Sequence, residues 1–473
     1  MLIRQPLPFV QEFVAALDEA LRTHDGADRG LSRLQQRWLS FCLMAIMITN
    51  SLCWARFERV GLGRYSQAAL SWVFCRAKLP WEGLFALSVR VILRRYGITG
   101  GALVADDSDR ARSKVTRRIA GVHQLKDKTS GGYVMGQCLV FLLLVTATVT
   151  LPVGVAFYQP DPARRAWRQR DDELKRQKIA KRARPAAPAR DPAYPTKCAW
   201  CLRLLERFAQ DHPTVQVKAV RVDALYGAQA FLEQASALFG GVQVISQLRH
   251  NQKVRFRNRS LTLDTYFTRY PGVAQCYPRR GDEPVNVIIG SARLWVEAHG
   301  RKRLIVAVKY VGETEYRYLV ATDLSWRTEA VFRTFTLRWR VEVFIQDWKG
   351  HEGWGTLAKQ PGVEGSSRGL ILSLLVDHGL LLHPAQHARL KNRQPAATVG
   401  SLIERIKVES LLDVCRHLIE SPHPEQQLQH LTETLAAYCD LRPSGKHRVG
   451  RDLGRMEPSP ALKYRAAACA ATS

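Results

Sequence analysis

Apolar positions change period more than once along this chain. Through about residue 95 they recur at helical spacing, as in Trp38-Leu39-Ser40-Phe41-Cys42-Leu43. Ser32 and Gln35 stand ahead of that run and predict a capping box. A second helix is predicted after Ser66, carrying Ala69, Leu70, Trp72 and Val73. Gly97 to Gly101 marks a turn, after which the pattern is β-rich: Ala102 to Ala105, then an uncharged run from Tyr133 to Tyr158. That run is long enough to span a bilayer, but its Val and Thr content and its breaks at Gly136, Pro152 and Gly154 suit two buried strands joined by a turn. Residues 159–197, rich in Pro, Ala, Arg and Lys, read as an exposed basic connector with some helix.

A helix is predicted over 198–210, then strands at 215–222 and 242–248. Residues 250–325 hold strand-like runs at Val285 to Ile289, Leu304 to Tyr310 and Tyr316 to Thr322. Helices are expected at 335–349, 367–382 and 397–420, and the tail from Arg442 is basic and weakly patterned. No repeat of solenoid period is visible.

On a helix turning about 100° per residue, Phe335, Arg338, Glu342 and Lys349 share one stripe, with Trp339, Val341, Phe344 and Trp348 interleaved. The aromatics are expected to anchor this helix, and the charged stripe to face a phosphate-bearing ligand and a metal. A solvated, salt-bridged face is the plainer alternative.

Charge sharpens that expectation. Lys and Arg number 70 against 42 Asp and Glu, a net charge of +28 spread along the chain. Such an excess favours a polyanionic partner, above all nucleic acid bound through its phosphates. The ten cysteines follow no regular spacing, and Cys198-Ala-Trp-Cys201 has no second pair to complete a zinc site. This usage fits a reducing cytosol, and the start, Met1-Leu2-Ile3-Arg4-Gln5-Pro6, lacks a signal peptide's apolar region.

Two acids stand where chemistry is expected. Leu103-Val104-Ala105 runs into Asp106-Asp107-Ser108-Asp109, and Val217 to Val222 runs into Asp223, then Tyr226-Gly227. Ligands collect at the carboxyl ends of strands in α/β sheets. With Glu342 these acids make a candidate hard-oxygen cage for Mg²⁺ or Mn²⁺ serving phosphoryl transfer. Singly, each acid is as well explained by strand ends and helix caps. His250, His299 and His351 are not at ligand spacing, no GxGxxG or P-loop is present, and no serine elbow stands out.

The spacing Phe335-x-x-Arg338-x-x-x-Glu342 followed by Lys349 resembles the Tyr–Arg–Glu–Lys signature of bacterial insertion-sequence DDE transposases of family four. Asp223-x-x-Tyr226-Gly227 resembles their second-aspartate motif and Asp106-Asp107-Ser108 their first, over roughly residues 100–385. The resemblance implies an α/β chain with a ribonuclease-H-like catalytic core over 97–385. A β insertion would fall at about 250–325. A helical DNA-binding region would precede the core at 1–96, and a helical region with a basic tail would follow at 386–473. It implies that Asp106, Asp223 and Glu342 hold two Mg²⁺ or Mn²⁺ ions, that Arg338 and Lys349 hold DNA phosphates, and that Tyr318 stacks on a flipped base; packing inside a sheet is the other reading of Tyr318. Duplex DNA (terminal repeats and target) and a homodimer on that DNA are the implied partners, in a cytoplasmic, nucleoid-associated setting. Two departures stand out. The signature's tyrosine is Phe335, leaving only packing or stacking, and the first motif offers both Asp106 and Asp107, of which Asp106 is favoured. A nuclease or resolvase with the same core, a catalytically silent DNA-binding protein and a membrane protein are the competing functions.

Overall fold

The computed structural model describes residues 2–24, 30–112, 119–127, 130–278, 284–355 and 362–439. The basic tail from residue 442 lies outside the described residues. Met1–Glu420 form one compact unit of mixed α/β structure; Ser421–Ser473 form a second, whose described part is a helix at Pro424–Cys439.

The first unit opens with five helices: α1 (Pro8–His24), α2 (Arg33–Thr49), α3 (Trp54–Val60), α4 (Gln67–Arg76) and α5 (Trp81–Arg95). The expected capping box starts α2: the Ser32 hydroxyl accepts from the Gln35 N–H at 3.2 Å, and the Gln35 side chain accepts from the Ser32 N–H at 2.8 Å. Ser66 caps α4 from one side only, its hydroxyl accepting from the Ala69 N–H at 3.2 Å. Strands follow at β1 (Gly100–Ala111), β2 (His123–Lys126), β3 (Tyr133–Val145) and β4 (Thr150–Tyr158), so the uncharged run is a hairpin. Among the described residues no single helix is long and apolar enough to cross a membrane; α2 and α3 pass that test only as a pair bent by 93°.

The connector carries α6 (Pro162–Arg176), which has no buried residue. Next come α7 (Lys197–Asp211), β5 (Gln216–Val222), α8 (Gln229–Ala237) and β6 (Val244–Leu248). The region 250–325 supplies β7 (Lys253–Phe256), β8 (Arg259–Thr262), α9 (Leu263–Arg269), β9 (Val273–Pro278), β10 (Pro284–Val296), β11 (Arg301–Tyr310) and β12 (Arg317–Ala321). The unit ends with α10 (Thr328–Thr336), α11 (Arg338–His351), α12 (Gly362–Leu381), α13 (Pro384–Lys391) and α14 (Val399–Ile419).

All these strands belong to one sheet. β4, β3 and β1 are antiparallel, and β1, β5 and β6 continue in parallel. The strands of 250–325 prolong the same sheet, since β12 pairs with β6 and leads on to β11 and β10. Alternation sorts β1 by face: Leu103 and Ala105 pack with Cys201, Leu205 and Phe208 of α7, whereas Val104 packs with Val341, Phe344 and Trp348 of α11. That second core also takes in Phe13, Trp38, Phe41 and Leu374 from α1, α2 and α12. The boundary expected at residue 96 is therefore not a packing boundary, because the leading helices share the core that carries α11.

Glu352 and Asp377 are buried between α11 and α12, Glu352 without any exposure. Burial raises both carboxyls, Asp377 to about 8, and the charge of nearby Asp347 raises them further. A carboxyl raised on folding contributes stability below its unfolded value of about 4 and loses it as pH climbs through the folded value. Melting temperature should thus fall as pH rises from about 4 to about 8, and Asp377 adds no further fall above that. Asp377→Asn should flatten that fall in a thermal-melt series; an unchanged slope would remove the pair from consideration.

Candidate functional site

The parallel pairing of β1 and β5 is what brings the two aspartates together. Ala105 pairs with Val222, so Asp106 and Asp223 follow where the parallel pairing stops: β5 ends there, whereas β1, expected to end at the acids, runs on along β3 to Ala111. Val104 pairs with Arg221, so Asp106, Arg221 and Asp223 lie on the face toward α11. The turn beyond Asp223 is tightly built. Ser246 Oγ donates to the Asp223 carbonyl at 2.8 Å, Tyr226 is fully buried against Phe231, and a Cβ at Gly227 would stand 2.8 Å from the Gln247 carbonyl oxygen. The Tyr226-Gly227 part of the motif thus holds the strand end rather than reaching into the site.

The expected helix over 335–349 is broken at Leu337, leaving Phe335 on α10 and Arg338, Glu342 and Lys349 on α11. Between them Leu337 and Arg340 make short i to i+3 bonds, the tighter turn that separates the two helices. The Phe335 ring packs toward the core under α10 and lies 5.0 Å from the Arg221 guanidinium. Val341, Phe344 and Trp348 anchor α11: the Trp348 ring stacks on Trp354 at 5.2 Å and meets Phe141 of β3 edge-on at 5.0 Å. Trp339, expected among the anchors, is 68% exposed.

Glu342 is held by Arg338 in an i,i+4 ion pair, both half-exposed. The charges expected to bind metal and phosphate therefore engage each other. Such an exposed pair is worth only about 0–1 kcal/mol, so either member is readily exchanged for a ligand. The Lys349 ammonium donates to the Asp109 carbonyl at 2.7 Å, tying α11 to the end of β1. Burial, with the charge of Arg110, lowers its pKa.

Burial raises Asp106 to about 6, with the charges of Asp107 and Asp223 adding and the Asp107 N–H (2.8 Å) and Arg221 opposing. Arg221, which no sequence signal singles out, lies at the centre. It has no exposed surface, none of its three guanidinium nitrogens has a hydrogen-bond acceptor among the described residues, and the charges of Asp106, Asp223, Glu342 and Arg338 all act on it. Burial and Arg338 lower it to about 10 while the carboxylates pull the other way. Its strand position between apolar Val220 and Val222 disguised it as a solvent-facing residue of an alternating strand.

Two expected residues fall outside this cluster. Asp107 points to the opposite face, where the Lys197 ammonium lies 2.6 Å from its carboxylate. With Asp109 and Cys138 it forms a group whose ligand atoms lie within 4.8 Å of one another. Burial keeps the Cys138 thiol protonated and Lys197 already neutralises Asp107, so this group is poorly suited to a cation. Tyr318, expected to meet a base, is 2% exposed, packs on Phe267 at 5.7 Å and donates to Asp264 at 3.3 Å. A ring so enclosed offers no face for stacking. The CxxC pair starts α7, and burial pushes both thiols up, away from thiolate chemistry. The concavity between α1 and α5, lined by Phe9, Phe13, Val91 and Arg94, includes none of the site residues.

A scan against protein-family models finds no match, and neither does a search of the curated proteins.

Proposed function

We propose that this chain is a metal-dependent polynucleotidyl transferase, a transposase resembling the family-four insertion-sequence DDE enzymes, which cuts DNA at element ends and joins them to a target. One observation carries the reading: the parallel pairing of β1 and β5 sets Asp106 and Asp223, far apart in sequence, side by side on the face toward α11, the helix that carries Glu342. A sheet whose antiparallel strands β4, β3 and β1 continue into parallel β5 and β6 fits the ribonuclease-H-like core of that reading. The +28 charge and the exposed basic helix α6 favour a phosphate-rich partner.

The three carboxylates are hard oxygen donors of the kind that hold Mg²⁺ or Mn²⁺. Bound there, divalent ions would supply Lewis-acid stabilisation of charge developing on phosphoryl oxygens. Arg338, released from Glu342, is positioned one helical turn away to take a DNA phosphate. Lys349 holds α11 against β1 and keeps Glu342 in register with Asp106. Trp339, exposed beside Arg338, offers a surface for DNA contact. Joining two element ends calls for at least two copies of the chain on the DNA.

The opposed faces of Asp106 and Asp107 give a sharp test. Asp106→Asn should abolish Mg²⁺-dependent nicking of duplex DNA, and Asp107→Asn should retain most of it, measured as relaxation of a supercoiled plasmid. Equal loss in both variants, or none in either, would count against the site.

A further inference from the structure

We propose that His299 is a positioning residue for the turn that follows Asp223: neutral, with its proton on Nε2, it ties the β strands of 250–325 to that turn. This rests on the proposed function in one respect, since it takes Asp223 to be an acid of the site.

The partners of the imidazole fix its state. His299 is buried in the short turn Glu297–His299 that joins β10 to β11. Its Nε2 lies 3.0 Å from the carbonyl oxygen of Gly227, 72 residues earlier in the chain. A carbonyl only accepts, so Nε2 carries the proton. The Arg303 Nε–H donates to Nδ1 at 3.4 Å. A guanidinium only donates, so Nδ1 is the bare nitrogen. A second proton would set one N–H against another and an imidazolium against a buried guanidinium. Burial and the Arg303 charge oppose it, outweighing the Gly227 carbonyl and Glu233.

The contacts form a closed circuit. Arg303 of β11 is buried and held by the Glu233 carboxylate of α8, whose other oxygen takes Arg301 at 2.9 Å. α8 begins at Gln229, two residues past Gly227. The path therefore runs from Gly227 through α8 to Glu233, across to Arg303, on to His299 and back to Gly227. Ser246 of β6 holds the other end of the same turn through the Asp223 carbonyl. Bridging Arg303 and Gly227 calls for one acceptor and one donor on a single side chain. Neutral imidazole supplies both, as does the amide of glutamine, whereas alanine supplies neither. A buried carbonyl or guanidinium left unmatched is costly, so without His299 the turn shifts to find other partners. Asp223 opens that turn, and a misplacement of about 1 Å near reacting groups costs up to about a hundredfold in rate.

The test combines ¹⁵N NMR of histidine-labelled full chain, amide hydrogen exchange read by mass spectrometry, and Mg²⁺-dependent plasmid nicking. The wild-type His299 ring, assigned as the signal lost in His299→Gln, should show the Nε2–H tautomer at pH 7. His299→Ala should speed exchange across residues 224–229 by about tenfold or more, as a local tie is lost. Its nicking rate at saturating DNA should fall by about ten- to a hundredfold, with the half-saturating DNA concentration unchanged. His299→Gln should restore both exchange and rate, because its amide repeats the acceptor and the donor. If His299→Ala does not fold, the wild-type tautomer and the behaviour of His299→Gln decide the matter. An Nδ1–H or doubly protonated ring, wild-type exchange in His299→Ala, or a His299→Gln as impaired as His299→Ala would overturn the inference alone. Absence of nicking by the wild type, with tautomer and exchange as expected, would overturn the proposed function and leave the tie between His299 and the turn standing.

Discussion

Glu342→Gln should lower Mg²⁺-dependent nicking of duplex DNA by about a thousandfold or more, the scale on which removing a key charge-stabilising group acts. Glutamine keeps the size of the side chain and an acceptor for Arg338, so only the negative charge is lost. The position is half-exposed on α11 and outside the packed core. Stability should therefore change by no more than about 0.5 kcal/mol, and duplex binding, carried by basic residues elsewhere, should persist. Gel-shift and plasmid-relaxation assays on one preparation separate the two effects. Wild-type nicking in this variant would remove Glu342 from the chemistry.

Trp348→Ala is the largest expected loss of stability, about 3–5 kcal/mol for emptying so large a core position. Its ring is fully buried and lies against Trp354, Phe344 and Phe141, so truncation leaves a hole between α11 and β3. Because that contact sets the height of α11 over β1, activity should vanish with stability. Trp339→Ala, on the same helix but 68% exposed, should cost no more than about 0.5 kcal/mol. Chemical denaturation of both variants checks the contrast. A Trp348→Ala midpoint equal to that of Trp339→Ala would show that the stack does not anchor the helix.

Much of this arrangement was legible in residue patterns because it depends on local signals. Ser32 with Gln35, Ser66, the charge-free run of 133–158 and the strand ending at Val222 are each written within a few residues. The pairing of Asp106 with Asp223 was legible only as an inference from strand ends, and the parallel register of β1 and β5 is its physical cause. Alternation puts Asp106 and Asp107 on opposite faces but does not say which face holds the site; the packing of Val104 with α11 decides that.

What stayed hidden was set by contacts distant in sequence. The break at Leu337 follows from α10 docking over β10–β12 while α11 docks over β1 and β3, a division no periodicity records. Trp339 and Trp348 are chemically alike, and only the docking direction of α11 sends one to solvent and the other to the core. Tyr318 sits on a strand whose neighbours, α9 and Tyr316, enclose it. Arg221 was invisible because an arginine between two valines reads as the outward position of a half-buried strand; in this sheet both faces are covered.

The most direct measurement is strand transfer by the wild-type protein. A duplex carrying the DNA that flanks its own coding region, with a free 3′-hydroxyl end, is incubated with a supercoiled plasmid in Mg²⁺ or in EDTA. The proposed function predicts joined duplex–plasmid product in Mg²⁺ and none in EDTA; cleavage or joining that survives EDTA, or neither in Mg²⁺ or Mn²⁺, would contradict it.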